Sequence, residues 1–153
     1  MKKYYIAYGS NLNKEQMKYR CPTAKPLGRG YLKDYRLLFK GSKTGAYLTI
    51  EEAKGEIVPV GIWEINEMDE QHLDWYEGYP MFYFKQNMKV DLYDNNDNYI
   101  AKLDAMVYIM QTDRHIAVPS QRYVQVCEKG YQDFGLNTKT LEQAYTYSVI
   151  NKQ

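Results

Sequence analysis

An unbroken apolar run, Tyr4–Tyr8, stands near the start of the 153-residue chain and ends abruptly in Gly9-Ser10-Asn11. Successive side chains of a strand point to opposite faces, so a run that is apolar at every position predicts a strand covered on both sides. We therefore expect Lys3–Tyr8 to form a central strand of a sheet. Five apolar residues are far too few for a membrane span or for the core of a signal peptide.

Two asparagines and a glycine mark the ends of predicted helices. Asn13 and Asn66 each precede a helix-forming segment, and an asparagine side chain can accept a hydrogen bond from a free N–H of the first turn. Gly78 is typical of the residue that follows a helix, because it adopts left-handed backbone angles without strain. The predicted helices lie at about 13–20, 67–77, 121–131 and 138–149.

Strand patterns, broken by turns, occupy most of the remaining chain. The predicted strands after the first lie at about 28–39, 46–50, 57–65, 82–92 and 99–110. Gly41–Gly45 is expected to be a turn, and the polar run Asp94–Asn98 to be the turn of a hairpin. Pro59 predicts a bulge or a partly unpaired edge, since proline has no N–H to donate. With no linker or repeat in the sequence, we expect a single α+β domain over residues 1–153, mostly sheet and able to close into a barrel.

The charge balance and the low cysteine count argue against several protein classes. Twenty basic and nineteen acidic side chains leave a formal charge of +1, whereas duplex nucleic-acid binders usually carry a basic face and a high pI. The two cysteines, Cys21 and Cys127, and the two histidines, His72 and His115, lack the spacing of a metal site or a disulfide framework. We therefore expect a cytoplasmic protein without a structural metal.

Seventeen tyrosines supply most of the aromatic content. A phenol buries a large apolar ring and keeps a polar tip, so it suits both protein cores and wet, ligand-facing clefts. Composition alone leaves both uses open.

The segment Tyr8–Leu12 joins the first strand to the first helix. Backbone N–H groups are free at such a junction, and glycine lets a ligand approach the backbone closely. Gly9, Ser10 and Asn11 therefore form a candidate binding loop. It lacks the second glycine and the Gly-Lys pair of a Walker loop, and the flanking glycines of a nucleophile elbow. An ordinary strand-to-helix turn with local caps is the alternative that the spacing leaves open.

Glu77 is predicted at the C-terminal end of its helix, just before Gly78 and among aromatic residues. The negative end of the helix dipole and burial among rings both favour the protonated carboxyl group, and so raise its pKa. A carboxyl group with a pKa near neutrality can serve as a general base. Spacing alone also allows a solvent-facing glutamate. Asp74 is the competing carboxylate, expected to pair with a lysine or to support the turn.

Four short motifs follow one another along nearly the whole chain. They are Tyr5–Leu12; Gly61–Ile65; Leu73-Asp74 with Glu77-Gly78 and the following Tyr83; and Pro119–Tyr123 with the helix that leads to Gly135-Leu136. In this order and spacing they resemble the gamma-glutamylcyclotransferase superfamily, including its small AIG2-like members. The resemblance favours the functional interpretation of both the loop and Glu77.

The resemblance implies a small mixed β-barrel with flanking helices and a cavity at the ends of the strands. It also implies an enzyme that cyclises a γ-glutamyl amide to 5-oxoproline and releases the amine, without a metal or a cofactor. Glu77 matches the glutamate that acts as general acid and base in such enzymes. The residues that match substrate-binding positions are Tyr5, Ile6, Ala7, Tyr8, Gly9, Ser10, Asn11 and Tyr123.

The resemblance leaves the leaving group open, because the motifs mix features of several branches. The expected partner is a small-molecule γ-glutamyl substrate, with neither nucleic acid nor a membrane involved. One alternative is a binding module of the same fold that keeps the pocket without turnover. Another is a hydrolase that uses Cys127 and His115, although we expect Cys127 to be a buried structural thiol in a helix and His115 to lie in a loop.

Overall fold

A closed, mixed β-barrel organises the molecule. The computed structural model describes residues 2–42 and 44–153, apart from the side chain of Ser42. Within these residues the strands are Lys3–Ala7 (β1), Lys25–Ser42 (β2), Gly45–Ile65 (β3), Tyr83–Tyr93 (β4), Tyr99–Met110 (β5) and His115–Ile116 (β6). They are ordered β3-β1-β5-β4-β2-β6, and β2 pairs back onto β3, which closes a ring of five strands. The predicted α+β barrel with flanking helices is confirmed.

The short strand β1 lies in the middle of the sheet, as the apolar run predicts. It pairs antiparallel with β3, where Tyr5 faces Trp63, and parallel with β5, where Tyr5 faces Met106. Tyr5, Ile6 and Ala7 are buried. Both neighbours of β1 are much longer strands, so the chain leaves β1 for the loop between two strands that continue beside it.

The first two helices begin where the asparagine signals predict. Along the described chain they are Lys14–Arg20 (α1), Glu67–Glu77 (α2), Gln121–Asp133 (α3) and Lys139–Asn151 (α4), and a 3-10 turn over Ser10–Leu12 connects β1 to α1. Asn13 Oδ1 accepts from the N–H of Gln16 at 3.0 Å, and Asn66 Oδ1 accepts from the N–H of Asp69 at 2.8 Å. Among the described residues, no helix combines the length and the apolar character needed to cross a membrane.

The strands β2 and β3 differ from their sequence prediction. The segments predicted at 46–50 and 57–65 belong to one strand, and the strand predicted at 28–39 extends at both ends. Antiparallel pairing along nearly the whole of both strands keeps them continuous, and register shifts at Pro26/Gly28 and Lys33/Tyr35 absorb the irregularities. The predicted turn Gly41–Gly45 is shorter than expected, because β2 runs to Ser42 and β3 starts at Gly45; its residue Lys43 lies outside the described residues.

Pairing with β2 also decides where His115 and Pro59 lie. His115 lies in β6 rather than in a loop, since it pairs with Gly41 of β2. Pro59 pairs with Tyr31 of β2 and lies before Gly61, where the pairing of β3 with β1 begins. Pro59 therefore lies in a part of β3 that pairs with β2 but precedes the pairing with β1, which agrees with the partly unpaired edge that the sequence predicts.

Helix α3 packs tightly on the turn that follows β1. A Cβ atom at Gly130 would lie 2.6 Å from the backbone nitrogen of Asn13 and 2.7 Å from the carbonyl carbon of Leu12. Only glycine allows this approach without moving the backbone. The contact fixes the loop between β1 and α1 against the body of the protein.

Candidate active site

A cavity of about 330 Å³ lies where β1 gives way to the loop over residues 8–11. The sequence-predicted site residues that line it are Tyr5, Ile6, Tyr8, Gly9, Ser10, Asn11, Glu77 and Tyr123. Ala7 is buried in β1 but is not among the lining residues. The fold therefore brings the loop, the end of α2 and the start of α3 to one cavity.

Glu77 is the last residue of α2 and meets the loop through Asn11. Gly78, with φ 64° and ψ 38°, ends the helix in the left-handed conformation that the sequence predicts. Asn11 Nδ2 donates to Glu77 Oε1 at 3.2 Å and to the Tyr5 hydroxyl at 2.8 Å. The carboxyl group thus faces the cavity with one oxygen held by a neutral donor.

The pKa of Glu77 is raised to about 7, chiefly by burial. The charge of Arg20 and the hydrogen bond from Asn11 lower it, but they do not offset the loss of hydration. A carboxyl group with this pKa exchanges a proton readily near neutral pH, which suits a general base that later acts as a general acid.

Arg20 is a component of the site that our sequence interpretation missed. Its guanidinium group donates to Asn11 Oδ1 at 2.6 Å, to Gln16 Oε1 at 2.8 Å and to the Tyr76 hydroxyl at 2.6 Å. It also stacks over the Tyr76 ring, 3.7 Å from the centroid. A basic residue in the last turn of a short helix is ordinary in sequence, and only the fold brings it back to the loop.

Several tyrosine hydroxyl groups form hydrogen bonds with the backbone around the cavity. Tyr8 donates to the carbonyl of Tyr108 at 2.6 Å, and Tyr83 donates to the carbonyl of Leu48 at 2.7 Å. The Tyr123 hydroxyl accepts from the N–H of Leu48 at 3.1 Å. Burial raises the pKa of Tyr8, Tyr83 and Tyr123 well above the ordinary value, so these groups stay neutral. Tyrosines therefore both pack in the core and line the cavity.

Asp74 supports the cavity wall from outside. Its Oδ1 lies 2.9 Å from Lys85 Nζ and accepts from the Tyr108 hydroxyl at 2.5 Å. The expected pairing with a lysine is confirmed. Because Tyr108 lines the cavity, Asp74 holds a wall residue in place, whereas Glu77 lines the cavity itself.

Aromatic edges form another part of the wall. Tyr47 packs edge-to-face on Phe82 and on Tyr123, with ring centroids 6.1 Å and 5.3 Å apart, and Phe82 packs on Tyr83 at 5.1 Å. Edge-to-face packing fixes the rings relative to one another. This region offers apolar surface to a ligand, in contrast to the polar loop.

The cysteine–histidine alternative finds no support in the described residues. Cys127 is buried in α3, and burial raises the pKa of its thiol to about 12, which disfavours the nucleophilic thiolate. His115 is exposed on β6, where its Nδ1 lies 3.2 Å from Gln153 Oε1, and neither residue lines the cavity. In the same residues, no three His, Cys, Asp or Glu side chains are grouped so as to hold a metal ion.

Known proteins are similar to this chain in both sequence and architecture. The family model "Gamma-glutamyl cyclotransferase, AIG2-like" matches residues 5–125. Gamma-glutamylcyclotransferase of Homo sapiens is 30% identical over 140 residues, covering 86% of this chain and 71% of the human protein. The Bos taurus protein of the same name is also 30% identical, over 139 residues with the same two coverages.

Solved structures agree with the family model. A structure described as "Gamma-glutamyl cyclotransferase" matches with a TM-score of 0.80 and 28% identity, covering 94% of this chain and 86% of that one. YkqA from Bacillus subtilis, 19% identical, shares the fold with a TM-score of 0.77 over 99% of this chain and 56% of its own. On the match over residues 5–125, the chain belongs to the gamma-glutamyl cyclotransferase, AIG2-like family.

Proposed function

We propose that this protein cyclises a γ-glutamyl amide to 5-oxoproline and releases the amine, with Glu77 as general acid and base. The observation that carries the proposal is the partly buried Glu77 carboxyl group, with a pKa of about 7, facing the cavity beside the loop. The gamma-glutamylcyclotransferase names of the human and bovine relatives support the reaction class.

The substrate carries its own nucleophile, which sets the demands on the site. The α-ammonium group must lose a proton before its nitrogen can attack the γ-carbonyl carbon. Folding the substrate so that these two atoms meet is a large part of the catalysis, since well-oriented intramolecular attack reaches effective molarities of about 10⁵–10⁸ M. A cavity of about 330 Å³ suits a small molecule held in a folded conformation.

Glu77 takes one proton from the α-ammonium group. The nitrogen then forms a bond to the γ-carbon, and the carbonyl electron pair moves onto oxygen. When the carbonyl re-forms, the bond to the leaving nitrogen breaks, and that nitrogen takes the proton held by Glu77. Of the three ammonium protons, one stays on the ring nitrogen, one leaves with the amine, and one goes to solvent. No metal or cofactor is needed for these steps.

The loop over residues 8–11 is our candidate for the α-carboxylate and α-amino end of the substrate. Asn11 joins this loop to Glu77, so a substrate held there has its α-nitrogen near the carboxyl group. The aromatic wall of Tyr47 and Phe82 is then left for the side of the leaving group. The polar end of the cavity thus matches the charged glutamyl end of the substrate, and the apolar end matches the variable leaving group.

To test the proposal, the protein is incubated with γ-glutamyl amides whose leaving groups are an amino acid, a dipeptide and an alkylamine. The formation of 5-oxoproline is then measured. We expect turnover of at least one substrate, and a fall of about 10²–10⁴-fold in Glu77→Gln with binding retained. Glu56→Gln, the same change at an exposed position of β3, is the matched control and keeps full activity.

Two results would contradict the proposal. Unchanged turnover in Glu77→Gln would remove Glu77 from the role of acid and base. Binding of several amides by isothermal titration calorimetry, with no 5-oxoproline from any of them, would establish a binding module instead.

A further inference from the structure

The Asn11 side chain has two different ends, and Arg20 distinguishes them. A guanidinium group has five N–H donors and no acceptor, so only an oxygen can face it. Arg20 lies 2.6 Å from Asn11 Oδ1. With the oxygen on that side, Nδ2 must face the opposite way, toward the Tyr5 hydroxyl at 2.8 Å and Glu77 Oε1 at 3.2 Å.

The guanidinium group is itself held in place. It donates to Gln16 Oε1, one turn earlier in α1, and to the Tyr76 hydroxyl, and it stacks over the Tyr76 ring. Tyr76 precedes Glu77 in α2, so the same contact joins the end of α1 to the end of α2. The planar fork and the stacked face are properties that a lysine lacks.

From these contacts we infer that Arg20 is a positioning residue, which fixes the Asn11 amide in the orientation that presents Nδ2 to Glu77. A flipped amide would turn its oxygen toward the carboxylate and repel it. Arg20 acts through Asn11 and does not line the cavity among the described residues. The inference rests on the proposed function only where it concerns turnover.

The charge of Arg20 gives the inference a second, measurable consequence. It lowers the pKa of Glu77, against the larger effect of burial. Among the described residues, the other titratable side chains that interact electrostatically with Glu77 are phenols on the surrounding elements, which stay neutral at ordinary pH: Tyr5, Tyr8, Tyr83, Tyr108 and Tyr123.

The test compares Arg20→Gln and Arg20→Lys with Lys18→Gln, which removes a charge from an exposed position of the same helix. Carbon-13 NMR follows the titration of the Glu77 carboxyl group, and hydrogen exchange follows the Asn11 Nδ2 protons. Neither measurement requires turnover, so failure of the proposed reaction does not affect it.

In Arg20→Gln we expect a higher titration midpoint for Glu77 and faster exchange at Asn11 Nδ2. In Arg20→Lys the charge remains, so the midpoint stays near the wild-type value while exchange is faster. Where the wild type turns over a γ-glutamyl amide, kcat/KM falls by about 10²-fold in Arg20→Gln, the effect of a misplaced group.

The inference would be overturned if a folded Arg20 variant, either Arg20→Gln or Arg20→Lys, exchanged its Asn11 Nδ2 protons as slowly as Lys18→Gln does. A Glu77 midpoint unchanged in folded Arg20→Gln would overturn its electrostatic part. Loss of turnover with both NMR readouts unchanged would show a structural role only.

Discussion

Asn11 and Glu77, 66 positions apart in the chain, meet through one hydrogen bond of 3.2 Å between Nδ2 and Oε1. The bond joins the loop after β1 to the last residue of α2. It places a neutral donor beside a carboxyl group, and burial raises the pKa of that group to about 7.

Stability should fall as the pH rises through the titration of Glu77. Because the folded-state pKa is above the unfolded value, the native state binds more protons between pH 4.5 and about 7. A rise from 4.5 to about 7 corresponds to about 3 kcal/mol of unfolding free energy, since each pKa unit is worth roughly 1.4 kcal/mol.

Urea denaturation of the wild type and Glu77→Gln at pH 4.5 and pH 8 measures this difference. The glutamine variant should gain stability relative to the wild type at the higher pH. An equal difference at both pH values would mean that Glu77 does not have a raised pKa.

The pH profile of kcat/KM should have an acid limb that reports the free enzyme's Glu77. Activity falls below about pH 7, because the protonated carboxyl group cannot accept a proton from the substrate. Initial rates from pH 5 to 9 at low substrate concentration measure the limb. An acid limb near the ordinary glutamate value, below pH 5, would contradict the prediction.

Asn11→Asp should move that acid limb to higher pH. A carboxylate replaces the amide beside Glu77, and a like charge at this distance disfavours ionisation of its neighbour. The limb is compared with that of Asn87→Asp, the same substitution at an exposed position of β4. A downward move, or none, would show that Asn11 does not control the ionisation of Glu77.

Tyr123→Phe should destabilise the protein by about 1–3 kcal/mol, because the N–H of Leu48 loses its acceptor. Thermal unfolding measures the change, and Tyr19→Phe, at a residue that is 81% exposed, is the control. Equal stability of the two variants would mean that water replaces the hydroxyl at no cost.

Gly130→Ala should destabilise the protein and reduce turnover together. The added methyl group would lie 2.6 Å from the backbone nitrogen of Asn13, so α3 or the loop must move. Such overpacking costs about 1–3 kcal/mol. Gln125→Ala, at an exposed position of α3, is the control. Wild-type stability and kcat/KM in Gly130→Ala would show that the loop position is not set by this contact.

Local signals in the sequence predicted the elements that depend on neighbouring residues. The Asn13 and Asn66 caps act within three residues, and the Gly78 stop acts within its own helix, so the pattern is sufficient to find them. The extents of β2 and β3 were wrong, because they depend on pairing between two strands whose bulges no local pattern marks. Arg20 was missed for the same reason, since its partners Asn11 and Tyr76 lie on other elements.

The sequence by itself determined a buried first strand, the loop that follows it, and a glutamate at the end of a helix, in an order that resembles one family. Only the tertiary structure decided that the loop and the glutamate share a cavity with Arg20 behind them. Closure of the barrel through β1, between β3 and β5, brings the loop to the end of α2. The physical reason is that burial, and with it the pKa of Glu77, depends on which distant surfaces exclude water from the carboxyl group.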